Sequence, residues 1–182
     1  METLYEIKVS GVSPLLQNRF AGAEEVESNT SKRKSQTAKE NNVEDTIYRL
    51  PDGTIYQPGE QIKQALINAA KAFKRGRSNM STVFASFLSV EPEAIPHEIQ
   101  KIETDRRAVV IPSTKGRIMR NRGRLNEWSL KFIVRVFDDN EIDRTTLQNV
   151  LEYAGKYIGI GDYRPQKKGM YGRFIIDSVT AV

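Results

Sequence analysis

Apolar residues repeat along the chain with two periods. Tyr5, Ile7 and Val9 alternate with Glu6 and Lys8, which predicts a strand with one buried face over 2–10, broken by Gly11 and Pro14. Over 59–75 the period changes. Ile62, Ala65, Leu66, Ala69, Ala70 and Phe73 form one stripe of a 3.6-residue repeat, with Pro58 before it and Gly76 after it, so a helix is expected. Residues 81–88 suit a short helix capped by Ser81. Residues 99–111 read as extended, up to Pro112. Over 127–137, Trp128, Leu130, Phe132, Val134 and Val136 alternate with polar positions, Ile133 being the exception, and predict another one-faced strand with Trp128 in the core. Leu147, Val150, Leu151, Ala154, Tyr157 and Ile158 restore helical spacing over 144–158. Asp143 and Lys156 suit the dipole of that helix, and Gly159 and Gly161 close it. A last strand covers 173–182.

The order strand, helix, strand, strand, helix, strand predicts an α+β fold: a ferredoxin-like or RRM-like βαββαβ sheet with both helices on one face. Residues 1–182 read as a single domain with long loop insertions. One insertion, 21–45, contains a segment over 23–42 with a single large aliphatic residue among Ser, Asn, Lys and Glu. Its ordering entropy outweighs what it can bury, so it is expected to be flexible. Pro51, Asp52 and Gly53 mark a turn between two short extended pieces. A second insertion, 112–125, reads as a basic finger.

A chain of 182 residues, 38% hydrophobic and 28% charged, has the composition of a globular protein that buries a core without staples. It has no cysteine and one histidine, His97. That excludes thiol catalysis, cysteine-ligated zinc or iron–sulfur centres and multi-histidine metal sites. His97, in the segment EAIPHEI, reads as a loop residue with no visible partner. Asp138, Asp139, Glu141 and Asp143 read as a turn and helix start rather than a metal site. No Gly-Lys-Ser/Thr phosphate loop occurs, so nucleotide hydrolysis is not indicated and no cofactor is expected. No apolar run reaches 18 residues and no charged-then-apolar leader is visible, which predicts a cytoplasmic protein with no membrane partner.

The net charge of +5 hides a segregation. Windows 63–77, 106–124 and 156–173 hold 17 basic residues and one acid, Asp162, while the other 130 residues carry a net −11. If the three windows converge, they form a face that attracts a polyanion through phosphate contacts. The first window contributes Lys63, Lys71 and Lys74. The second contributes Arg106, Arg107, Lys115, Arg117, Arg120, Arg122 and Arg124. The third is the loop 158–174, where Gly161 and Gly169 permit close backbone approach, Arg164, Lys167, Lys168 and Arg173 supply charge, and Tyr163 and Tyr171 offer stacking faces. A plain helix-to-strand connection with solvated lysines is the competing reading of that loop. Near the start, Asn18 is a further contact candidate, and Arg19 is either a phosphate contact or an ion-pair partner.

Three features together resemble the RAMP superfamily, the repeat-associated proteins that form backbone subunits of CRISPR effector complexes. They are GVSPLL after the first strand, the PG-x-x-IK-x-AL pattern at Pro58, Gly59, Ile62, Lys63, Ala65 and Leu66, and the late glycine-rich loop. The whole chain is also similar to short proteins of phage and prophage regions that share the SPLL-NRF opening and the GIGDYRP…GRF close. The resemblance implies a ferredoxin-like fold. It also implies binding of single-stranded RNA along a positive groove, with Lys63 and the glycine loop facing it, and head-to-tail stacking into a homo-oligomer or filament, with other effector subunits as further partners. DNA is the other polyanion the pattern admits. The glycines are more widely spaced than the family's tight cluster. Some members cleave RNA with an aspartate in the loop after the first strand; here that loop holds Glu24, Glu25, Glu27 and Asp45, none aligned with a catalytic position. Three function classes follow: a non-catalytic strand binder, a metal-dependent ribonuclease using loop carboxylates, and a phage-encoded decoy that docks on an effector.

Overall fold

The computed structural model describes residues 1–19, 41–110 and 113–182. The expectation for 21–45 falls mostly outside them; only 41–45 are described. The core sheet contains β1 (Thr3–Gly11), β6 (Leu88–Glu91), β10 (Ser129–Val136) and β11 (Phe174–Ala181), in the spatial order β11-β1-β10-β6 and all antiparallel. Helices α1 (Gly59–Ala70) and α2 (Ser81–Phe87) lie between β1 and β6, and α3 (Arg144–Tyr153) joins β10 to β11. This is the βαββαβ arrangement, in which the last strand flanks the first.

Period-two patterning explains the sheet. Tyr5, Ile7 and Val9 on β1 are buried, as are Trp128, Leu130, Phe132, Val134 and Val136 on and beside β10. Helical patterning supplies the layer above: Ile62, Leu66, Leu147 and Leu151 are buried in the same core cluster. The Trp128 indole Nε1 donates to the Ser13 carbonyl at 2.8 Å, so its polar edge is satisfied inside the core. Asp143 caps α3, accepting from the Thr146 backbone N–H at 2.7 Å, which holds its carboxyl below the usual carboxylate range.

Four expectations need correction. The second core strand is β6, not 99–111. Residues 103–110 instead form β8 (Glu103–Val110), which pairs with β9 (Arg117–Leu125) and, through it, with β2 (Leu15–Gln17), as a separate three-stranded sheet. Strand β9 lies within the expected finger, 112–125, and β8 is its partner. Helix α1 ends at Ala70; beyond it come β4 (Lys74–Arg75) and β5 (Ser78–Asn79), and Phe73 is only half-buried. Ser81 does not cap α2. Met80 holds the N-cap position, and the Asn79 Oδ1 accepts from the Ser81 N–H at 3.0 Å and hydroxyl at 2.6 Å. His97 is not an open loop residue. It lies 3% exposed against the edge of Trp128, just after β7 (Ala94–Pro96), itself paired with β3 (Tyr56–Pro58). Burial pushes its imidazole pKa down to about 4, so it is neutral.

Candidate nucleic-acid interface

Strand pairing sorts the arginines of the finger onto two faces. Asp105 stands opposite Arg122 and Arg107 opposite Arg120, which puts all four on one face with Arg124. This face meets the loop after α3. The Arg107 guanidinium lies 4.6 Å from the Tyr171 ring centre and 5.5 Å from that of Tyr163, Arg122 lies 4.7 Å from Tyr163, and Arg124 lies 5.8 Å from Tyr171. Contacts of this type are worth about 0.5–2 kcal/mol each.

Two carboxylates pair with the three arginines of the joint. Asp105, only 6% exposed, takes a forked pair of hydrogen bonds from Arg107, at 2.6 and 2.8 Å, and lies 3.6 Å from Arg124. Asp162 pairs with Arg122 and also accepts from the Asn18 amide at 3.3 Å. Arg107 further donates to the Tyr171 hydroxyl. Asp105 first, and Tyr171 second, raise its already high pKa. Arg122 is 8% exposed, and its Nη1 has no hydrogen-bond partner among the described residues. Arg107, Arg122 and Arg124 therefore act inside the protein, and the two tyrosine rings expected as stacking faces are already engaged by them.

The glycines answer to the chain itself. A Cβ on Gly169 would sit 1.7 Å from the Tyr163 carbonyl oxygen, and one on Gly161, at φ +77°, would sit 2.5 Å from that of Leu16. The loop folds on its own backbone and onto β2, where Leu16 bridges Asp162. Tyr163 takes a positive φ of 50°, unusual for an aromatic residue, to place its ring between the arginines.

The remaining cations form the rim. Lys115, Arg117 and Arg120 on the finger, and Lys167, Lys168 and Arg173 on the loop, are exposed, and no ion pair joins them among the described residues. Arg106 is also exposed and has a partner of its own. Arg164 bends back to the Gly161 carbonyl at 3.0 Å. Arg19 is exposed, and its backbone N–H donates to the Thr46 carbonyl. The first basic window does not join this site. Arg75, beside Lys74, pairs with Glu141 ahead of α3, whereas the glycine loop leaves the other end, about 20 Å away at 1.5 Å per residue. Lys71 donates to Asn68 at 2.9 Å, and Lys63 lies roughly 200° round α1 from Gln61.

Between α1, β2 and the glycine loop runs a cleft of about 510 Å³. Its floor is a relay that sequence reasoning missed: Gln17 donates to Gln57 at 3.1 Å, Gln57 to Gln61 at 2.6 Å, and Gln61 to the Tyr48 hydroxyl at 3.3 Å. Part of the signal is legible afterwards, since Gln61, Gln64 and Asn68 fall at helical spacing on α1. Asp105 was missed for a simpler reason: it lies one residue outside the second basic window.

The face of the core sheet away from the helices is different. Lys131 pairs with Glu6 at 3.0 Å, Lys8 with Glu98 at 3.5 Å, and Arg135 with Glu91 at 2.7 Å and with Glu2. None of the strand residues on this face is aromatic.

Among the described residues no cluster of three or more His, Asp or Glu side chains gathers to hold a metal, and no helix is long and apolar enough to cross a membrane. Glu24, Glu25 and Glu27 lie outside the described residues; Asp45 is exposed. No family model and no curated protein matches the chain. Among solved structures, it is similar to a chain of a Type III-B Cmr-beta complex bound to cognate target RNA, determined by cryo-EM. The TM-score is 0.63 at 8% identity, and the match covers all of this chain and 61% of that one. The likeness is one of fold.

Proposed function

We propose that the chain is a non-catalytic, single-stranded RNA-binding protein of the CRISPR-effector backbone type, assembling head to tail along the strand beside other effector subunits. One observation carries this reading: on a ferredoxin-like core, the basic finger and the glycine loop are fused into one unit whose inner arginines are neutralised and whose rim cations are not. The fold shared with a chain of an RNA-bound complex supports the choice of RNA over DNA. In this reading Arg106, Lys115, Arg117, Arg120, Lys167, Lys168 and Arg173 contact phosphates, and Arg107, Arg122, Arg124, Gly161 and Gly169 hold the surface that presents them. Asn18, Arg19 and Arg164 flank the path of the strand, while Lys63 on α1, with Lys71 and Lys74 beyond its end, forms a second basic strip outside the joint.

Such binding is mainly electrostatic and weakly sequence-dependent. A plot of log affinity for a labelled single-stranded RNA against log salt is expected to fall by about 0.7 per phosphate contact. An affinity independent of salt would reject the rim. Light scattering on strands of increasing length tests the assembly, because open head-to-tail contacts grow with the strand. A strict monomer at every length would remove it. Failure to bind free RNA, with docking on an effector instead, would return the chain to the decoy reading.

A further inference from the structure

We infer that the cleft between α1 and the glycine loop receives one splayed base of the bound strand and prefers adenine to uracil. This rests on the RNA-binding reading above and adds a base-reading site that phosphate contacts alone do not provide. The cleft's chemistry is that of a neutral hydrogen-bonding ligand. Its side chains are rich in amides, with one cation, Arg164, and two acids, Glu60 and Asp162. Arg164 is turned back on the Gly161 carbonyl and on Gln166, so the cleft holds no free cation for a phosphate.

What it offers is a set of fixed donors and acceptors. The relay through Gln17, Gln57 and Gln61 anchors Tyr48, and the Gln17 Oε1 accepts from the Tyr48 N–H at 3.0 Å, closing the network. A wall locked in this way loses little entropy when a ligand docks. Other groups remain open. Lys71 uses the Asn68 Oδ1 and leaves its amide N–H; Asp162 uses the Asn18 N–H and leaves its Oδ1; Gln64 is exposed. Paired donors and acceptors on amides match the N6 amino group and ring nitrogen of adenine, and splayed bases are the parts of single-stranded RNA that proteins read. Uracil offers the Asn18 and Gln64 oxygens a single N3–H, where the adenine amino group offers two N–H donors. The cleft borders the finger–loop joint, since Asp162 lines it while pairing with Arg122. A strand held on the rim therefore has a base within reach.

The test uses the full chain and a Gln64→Ala, Asn68→Ala double variant, both changes being helix-favouring. Affinities for oligoadenylate and oligouridylate of equal length are measured for each protein, with a salt series and a thermal melt. Taking the ratio of ratios cancels differences in strand stacking. The parent is expected to favour adenylate by about ten-fold more than the variant, with unchanged salt slope and melt. An unchanged ratio with intact binding overturns this inference alone. No binding of either strand by the parent overturns the RNA reading itself. Free adenosine that raises the parent's melting temperature and competes off the strand would assign the cleft to a nucleoside and overturn the strand-base assignment.

Discussion

On the open face of the core sheet, three cations meet four acids: Lys131 with Glu6, Lys8 with Glu98, and Arg135 with both Glu91 and Glu2. On the finger and glycine loop, three arginines meet two acids, Asp105 and Asp162, and six more exposed cations surround them without partners among the described residues. Both regions are rich in lysine and arginine. Only the second has positive charge left over. The sheet face is self-neutralised and its strands carry no aromatic residue there, so it lacks both the charge and the stacking platform that sheet-binding RNA modules use. The joint pairs its acids with its three inner arginines and leaves the rim cations unpaired among the described residues. The position of the acids, more than that of the cations, determines where positive charge is left unpaired.

The two regions should differ most when the joint is forced open. Gly169→Ala places a Cβ against the Tyr163 carbonyl, a backbone atom that cannot swing aside, and is expected to cost about 3 kcal/mol or more. Gly116→Ala at the finger tip meets only the Thr114 hydroxyl at 3.4 Å and should stay within about 0.5 kcal/mol. Thermal melts of the two variants check this. Equal melts would mean that the loop is not folded on itself as described.

A titration separates the cleft floor from the charged regions. His97 is neutral in the fold, with its pKa pushed down to about 4 from an ordinary 6.5, and its Nε2 lies 3.4 Å from the Gln57 Oε1. The unfolded chain binds the proton first, so stability is full above about pH 6.5 and falls as pH drops towards 4. The loss reaches about 3 kcal/mol. Urea denaturation across that window should show this limb, and His97→Gln should flatten it. The same limb in the variant would assign it to other groups.

Asp105→Ala tests the joint's electrostatics. It leaves Arg107 and Arg124 facing each other without their shared acid. The expected cost is about 2–3 kcal/mol, below that for a fully buried pair because the two side chains are 33% and 32% exposed. A neutral effect would mean that the arginine–tyrosine contacts alone hold the finger.

Most of the core was readable from periodicity, and the site much less so. The alternation through Trp128, Leu130, Phe132, Val134 and Val136, and the stripe through Ile62, Leu66 and Ala69, correspond to buried faces because patterning is local. Strand β6 was not readable: Leu88–Glu91 is four residues long and follows α2 without a break, so no period develops. The extended signal at 103–110 was real but said nothing about which sheet it joins. The joint was hidden because its pairs are distant in sequence. Arg122 finds Asp162 and Arg107 finds Tyr171 only once the loop has folded back through Gly169. His97 looked open between Pro96 and Glu98, yet Trp128, just ahead of β10, covers it.

Two triple variants of equal charge decide whether RNA binds the finger–loop rim and not the sheet face, as proposed. One carries Arg117→Ala, Arg120→Ala and Lys168→Ala; the other carries Lys8→Ala, Lys131→Ala and Arg135→Ala. Each removes three positive charges, and the exposed pairs lost from the sheet are worth about 0–1 kcal/mol apiece. Affinity for one labelled single-stranded RNA is measured at about 0.15 M salt, where charges more than about 8 Å apart are largely screened. The rim variant should lose most of its affinity and about two units of salt slope, and the sheet variant should bind as the parent does. Equal losses in both, or a loss confined to the sheet variant, would contradict the claim.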